Sequence, residues 1–181
     1  MPKLPTPQPG RLPGAERDVI ALLGAFCLFL STIEYMIPKP LPFMRIGFAN
    51  LPIMLGLDIL GFRSFFLLVA IKVVGQGLVT GSLFSYIFLF SLVGSFASSA
   101  LMLAVRRGLG PKRISFIGVG TVGALVSNLS QVLMARVFIF GESAKYVAPP
   151  FLAIGVVTGI ALGLFCETFV ARSVWYQGRL R

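Results

Sequence analysis

Residues 71–98, IKVVGQGLVTGSLFSYIFLFSLVGSFAS, join the end of one long apolar run to the start of the next through Gly81 and Ser82. The runs cover residues 64–80 and 83–105, and a helix needs about 20 apolar residues to cross a hydrocarbon core of roughly 30 Å. The short connection allows only a tight turn. The sequence therefore predicts two neighbouring antiparallel helices that span a membrane.

Four more apolar runs fill most of the remaining chain, at residues 19–36, 46–60, 114–140 and 149–171. Apolar residues make up 56% of the sequence and charged residues 12%, about half the share of a soluble domain. The pattern predicts an all-α membrane protein, a compact bundle of six transmembrane helices. The runs at 46–60 and 64–80 are short, and irregular backbone at membrane depth is tolerated only against protein or a watery cavity.

The basic residues between the runs predict the orientation, because cytoplasmic loops carry an excess of Lys and Arg. With the N-terminus inside, three basic residues lie outside, namely Lys39, Arg45 and Lys145. Eleven lie inside, namely Lys3, Arg11, Arg17, Arg63, Arg106, Arg107, Lys112, Arg113, Arg172, Arg179 and Arg181. Both termini are therefore predicted to be cytoplasmic. The net charge of +10 follows from this topology and favours contact with anionic lipid over nucleic acid.

The composition of the two ends predicts the domain boundaries. Residues 1–18 are rich in proline and are predicted to form a disordered cytoplasmic tail. Residues 19–171 form the six-helix transmembrane domain, and residues 172–181 form a basic cytoplasmic tail. No small-residue cleavage site follows the first apolar run, which argues against a cleaved signal peptide.

Several classes of activity are excluded or disfavoured by what the sequence lacks. It has no His, which excludes His-based metal sites, and Cys27 and Cys166 lie in separate apolar runs where small packed side chains are expected. There is no G-x-x-x-x-G-K-[ST] motif for ATP. The only Asp residues, Asp18 and Asp58, form no cluster that could hold Mg²⁺ on a diphosphate. We expect no enzyme activity, no metal and no cofactor.

Polar side chains inside the third run are the first candidates for a binding site, because ionisable groups at membrane depth are costly and often functional. Lys72, Gln76 and Thr80 share one helical face that rises toward the outer end. Lys72 lies too deep to reach the interface easily. The alternative is a buried ion pair between Lys72 and Asp58 or Glu34.

A second group of polar residues lies in the fifth run, where Ser127, Asn128 and Gln131 are spaced to share a face. Hydrogen bonds between helices are the alternative to ligand contact there. Asn50 lies just before Pro52, which suggests an opened turn. At the cytoplasmic rim, acidic side chains are expected to pair with basic ones: Asp58 and Glu167 with Arg63, Arg107 or Arg172.

The candidate substrate-binding residues share the outer half of the predicted membrane region. They are Glu34, Arg45, Asn50, Lys72, Gln76, Asn128, Gln131 and Arg136. The cations in this set outnumber the single anion, which favours an anionic or strongly polar ligand. Ala21 and Ala25 form a small-residue face on the first helix that could pack within the bundle or dock another membrane subunit. Gly155, Gly159 and Gly163 form a similar face, for which packing within the bundle is favoured.

Three blocks carry a family resemblance: R-x-G-x-A-N at 45–50, G-S-x-x-S at 81–85 and N-x-x-Q at 128–131. In this order they resemble the Gx transporter family, usually labelled heptaprenyl diphosphate synthase component I, and the resemblance covers residues 33–165. Lys72 stands where the family has an Arg, and Ser127 where it often has a His.

The family is similar to the substrate-binding S components of energy-coupling-factor (ECF) importers. The resemblance implies a multi-pass protein of the bacterial cytoplasmic membrane that binds a vitamin-like solute from outside. It implies two kinds of partner, a transmembrane scaffold (T component) and two ATPase subunits, with Ala21 and Ala25 as the docking face. The alternative is a noncatalytic membrane subunit associated with isoprenoid or quinone synthesis, or with flavin-linked extracellular electron transfer.

Overall fold

The computed structural model of the protein describes residues 14–38, 46–111 and 113–180. Within this part of the chain every regular element is helical. The elements are α1 (Gly14–Met36), α2 (Leu51–Gly56), α3 (Phe62–Val79), α4 (Tyr86–Leu109), α5 (Phe116–Ala135), α6 (Ala144–Arg172) and α7 (Val174–Leu180). The all-α prediction is therefore confirmed. Most of the predicted N-terminal tail, residues 1–13, lies outside the described residues, and α1 already begins at Gly14.

Four helical stretches in the described part of the chain are long and apolar enough to cross a membrane. They are Glu16–Met36, Phe62–Val79, Tyr86–Leu109 and Phe116–Arg172. The last stretch contains both α5 and α6, which are joined by a π-helical turn at Arg136–Phe140 and a 3₁₀ turn at Gly141–Ser143. Gly141 has a φ of 51°, a left-handed conformation that glycine adopts without strain.

Helices α5 and α6 pack antiparallel at very close range along glycine faces. A Cβ added at Gly163 would lie 2.4 Å from Cα of Ile117, and one at Gly159 would lie 2.8 Å from the carbonyl oxygen of Gly120. These pairs run in opposite directions along the two helices. The small residues of α6 therefore serve packing within the bundle, as their spacing predicts.

The predicted second span, residues 46–60, is not one continuous helix. A 3₁₀ turn at Phe48–Asn50 leads into the six residues of α2, and turns follow it. Every residue of α2 is buried by protein. This surrounding protein explains the departure, because irregular backbone survives at membrane depth only where other segments shield it.

A buried ion pair ties the end of α4 to the segment after α2. Arg106 donates to both carboxylate oxygens of Asp58, from Nε at 2.9 Å and from Nη2 at 2.6 Å. Its guanidinium lies 4.3 Å from the centroid of the Phe116 ring. Glu167 accepts a hydrogen bond from the backbone N–H of Phe116. The predicted pairing of Asp58 with Arg63, Arg107 or Arg172 was wrong, because Asp58 pairs with Arg106 of α4.

The segment predicted as a basic tail, residues 172–181, contains a folded helix. The Tyr176 side chain on α7 is fully buried, and its hydroxyl donates a 3.0 Å hydrogen bond to the carbonyl oxygen of Leu55 at the end of α2. That this segment is a cytoplasmic tail stays a prediction, and the structure adds that Val174–Leu180 is helical. The basic composition of residues 172–181 does not indicate that Tyr176 is buried against α2.

Candidate functional site

Six of the eight predicted binding residues line one pocket between the helices. They are Glu34, Asn50, Lys72, Gln76, Asn128 and Gln131. The enclosed space is about 20 Å³, enough for a water molecule but far below the roughly 300 Å³ of a small-ligand site. The structure thus shows a polar pocket in a closed form, and a vitamin-sized ligand would require the surrounding helices to move apart.

Lys72 lies at the centre of this pocket and is 5% exposed. Its Nζ donates to Oδ1 of Asn50 and to Oγ of Ser95, both at 2.8 Å. Asp58, one of its two predicted ion-pair partners, is instead engaged by Arg106. Nζ of Lys72 therefore joins α3 to α4 and to the turn before α2, and a buried cation of this kind is a candidate for contact with a polar ligand.

Glu34 on α1 holds the start of the irregular segment in place. Its carboxylate accepts hydrogen bonds from the backbone N–H groups of Ile46, Gly47 and Phe48 at 2.9, 3.1 and 2.9 Å. Gly47 has a φ of 95°, where a side chain would be strained. This clamp directs the chain into the 3₁₀ turn that places Asn50 against Lys72.

The serines of α4 complete the side of the pocket that faces α3. Ser95 contacts Lys72, and one turn earlier the Ser91 hydroxyl lies 3.5 Å from Oε1 of Gln76. Both serines are buried. The sequence interpretation did not include them. Their i,i+4 spacing, which matches that of Lys72 and Gln76, was the pattern that could have identified them.

The α5 residues meet the pocket from the opposite side. Asn128 uses its Nδ2 to bond the carbonyl oxygen of Phe151 on α6 at 2.9 Å. Gln131 uses its Nε2 to bond Oγ of Ser127 at 3.0 Å. The interhelical hydrogen bond that the sequence left open as an alternative therefore exists for Asn128, while Gln131 bonds within its own helix.

Two predicted residues remain, and the structure describes only one of them. Arg45 lies outside the described residues. The side chain of Arg136 is 54% exposed and pairs with the exposed Glu142. Arg136 begins the π-helical turn after α5, so its side chain follows the connection to α6 rather than the inward face of α5.

The predicted docking residues lie on the surface of α1. Ala21 and Ala25 are both exposed. Ala25 lines an apolar groove of about 490 Å³ together with residues of α1, α2, α6 and the start of α7. Its largest members are Phe26, Phe29, Phe169 and Trp175. The groove beside Ala25 is therefore lined mostly by apolar side chains and by no charged one among the described residues.

The profile of one protein family, described as heptaprenyl diphosphate synthase component I, matches residues 23–169. The chain belongs to this family. Comparisons with curated proteins and with solved structures find no match. The family relation seen in the sequence motifs is thus confirmed. The six predicted residues that line the pocket all fall within the matched region. By its description, the family is component I of heptaprenyl diphosphate synthase.

Proposed function

We propose that this chain is the substrate-binding S component of an ECF-type importer in the bacterial cytoplasmic membrane. It captures a small polar or anionic, vitamin-like solute from outside. Both termini lie on the cytoplasmic side, and the segment containing α2 serves as the second of six membrane segments. The distribution of basic residues supports this orientation.

The observation that carries the proposal is the buried cation inside the bundle. Lys72 is held by Asn50 and Ser95 and shares its pocket with amide side chains from α3 and α5. Keeping a lysine at this depth is costly, and such residues mark substrate pathways in membrane proteins. A structural role alone would be served by fewer polar groups.

The energy for import comes from partners in this proposal. A T component docks on the exposed Ala21 and Ala25 face, and two ATPase subunits drive it, since this chain has no P-loop sequence. Small residues let a partner helix approach closely. Rigid-body movement of the bundle would then expose the pocket to the other side.

The family description favours a second candidate, a noncatalytic membrane subunit of isoprenoid or quinone synthesis or of flavin-linked electron transfer. It assists a separate catalytic chain, because this sequence lacks an aspartate cluster for Mg²⁺. This candidate requires stable association with a prenyl synthase or a flavoprotein. It does not require a ligand in the Lys72 pocket.

Native mass spectrometry of freshly extracted protein in mild detergent tests the proposal. We expect one stoichiometric small molecule on the wild-type chain and on Lys145→Met, which changes an exposed lysine. Lys72→Met should release it. An empty chain that retains a synthase or flavoprotein partner would instead support the accessory-subunit candidate.

Docking is tested separately by placing a larger side chain on α1. Ala25→Leu should weaken co-purification with the scaffold and ATPases, whereas Ala100→Leu, at an exposed alanine of α4, should not. Equal association of both variants would place the docking face elsewhere on the bundle.

A further inference from the structure

Gln131 carries a buried hydrogen-bond acceptor that no described residue satisfies. The residue is 1% exposed and lines the pocket that contains Lys72. Its Oε1 has no hydrogen-bond partner among the residues that the structure describes, although its Nε2 is bonded to Ser127. Buried polar atoms are nearly always bonded, so an orphaned one in a pocket calls for a physical explanation.

The amide of Gln131 is confined on two sides. Its Nε2 is held by Ser127 one turn earlier on α5. On α4, a Cβ placed at Gly94 would lie 3.5 Å from Cγ of Gln131 and 3.2 Å from the carbonyl oxygen of Ser127. Helices α4 and α5 therefore touch at this point. With the nitrogen engaged and the stem packed, the carbonyl end of the side chain is left for the pocket.

The two sides of the pocket offer opposite hydrogen-bonding groups, a donor on α3 and an acceptor on α5. Lys72 is a cation that can only donate, while Oε1 of Gln131 can only accept. A molecule that satisfies both must present an oxygen or nitrogen acceptor to Lys72 and an N–H or O–H group to Gln131. Lactams, imides, hydroxy acids and amino acids meet this requirement, whereas ionised diphosphates offer acceptors alone.

We propose that the Gln131 carbonyl is a specificity-determining contact that accepts a hydrogen bond from an N–H or O–H group of the ligand. This inference rests on the proposed solute-binding function and deepens it. A ligand without a donor leaves the acceptor buried and unpaired, and sites built around a hydrogen bond reject such analogues strongly. The substrate class is therefore a small polar molecule with a donor beside its acceptor or acidic group.

The ligand-free protein provides the first test. Gln131→Met keeps the length of the side chain and removes the orphaned acceptor together with the Nε2 bond to Ser127, so the two effects should largely offset each other in the thermal midpoint of the unliganded protein in detergent. The matched variant Asn128→Leu removes a bonded amide and should lower the midpoint more. If Gln131→Met lowers the midpoint as much as Asn128→Leu does, the acceptor is already satisfied, for instance by a permanent water, and the inference is overturned.

The second test uses defined probes in a thermal-shift assay. Water-soluble vitamins and nucleobases are each compared with an N- or O-methylated derivative, with pyrophosphate and isopentenyl diphosphate as donor-free anions. We expect stabilisation only by compounds with a free donor. Methylation, or Gln131→Met, should weaken apparent binding about tenfold to a hundredfold, the cost of one unpaired buried group.

The outcomes separate this inference from the broader proposal. A stabilising compound that requires Lys72 but binds Gln131→Met equally well would overturn the role of Gln131 and leave the solute-binding function standing. Stabilisation by the diphosphates alone would overturn the donor requirement. If no probe stabilises the protein and native mass spectrometry finds no ligand, the proposed function itself fails, and this inference fails with it.

Discussion

Replacing Asp58 by Asn is the sharpest test of how the end of α4 is held to the segment after α2. The Arg106 and Asp58 side chains are 6% and 15% exposed and share two hydrogen bonds at 2.9 and 2.6 Å. Removing one partner of a buried ion pair leaves the other charge uncompensated. Such changes cost about 3–5 kcal/mol. Because Asn keeps one acceptor, we expect a loss of free energy of unfolding near 3 kcal/mol.

The guanidinium of Arg106 cannot escape this cost by moving into water. It also donates to the carbonyl oxygen of Ile114 at 2.5 Å and lies over the Phe116 ring. Contacts with Asp58, Ile114 and Phe116 therefore hold it in place. The exposed pair between Arg136 and Glu142 is the internal control. Glu142→Gln should cost less than about 1 kcal/mol, because water and salt screen exposed charges.

Reversible unfolding in mixed micelles by an increasing fraction of denaturing detergent measures both variants on the same scale. The double variant Asp58→Leu with Arg106→Met should recover much of the loss, since apolar pairs of similar volume often replace buried ion pairs without penalty. If Asp58→Asn costs no more than Glu142→Gln, the pair is solvated and the packing described for the end of α4 is incorrect.

Three further perturbations probe the same bundle. Tyr176→Phe removes the hydrogen bond to Leu55 and should lower the free energy of unfolding by about 1 kcal/mol in the same assay. Tyr146→Phe, at an exposed tyrosine, is the control. An equal or smaller change for Tyr176→Phe would contradict the burial of α7. Burial, with a smaller contribution from Asp58, raises the pKa of the Tyr176 hydroxyl. The neutral hydroxyl therefore stabilises the folded protein below pH about 10, and this contribution is lost as the pH rises further. The thermal midpoint should fall more steeply at alkaline pH for the wild type than for Tyr176→Phe. Gly163→Ala should force α5 and α6 apart, because the added Cβ meets backbone rather than a movable side chain. It should lower the free energy of unfolding by about 1–3 kcal/mol. The control Gly108→Ala, where a Cβ meets nothing within 4 Å, should be nearly neutral by thermal unfolding.

The predicted polar residues lie together in the structure where helical periodicity applies. Lys72 and Gln76 share a face because they are one turn apart on α3, and the same spacing brings Ser91 and Ser95 of α4 against them. Arg136 was assigned to the same half of the membrane by position along the chain alone. The π-helical turn changes the direction of its side chain, and periodicity cannot anticipate a change in helical pitch.

Short-range pattern therefore determined the class of this protein. Apolar runs and the distribution of basic residues indicate a helical membrane protein and its expected orientation, and three short blocks indicate its family, because hydrophobicity, charge and motif order are properties of the chain itself. Only the tertiary structure decided which side chains meet. Glu34 holds a turn a dozen residues away, Arg106 takes Asp58 from across the bundle, and Tyr176 reaches α2. These pairings depend on how helices are arranged in space, and many arrangements satisfy the same pattern of apolar and polar residues.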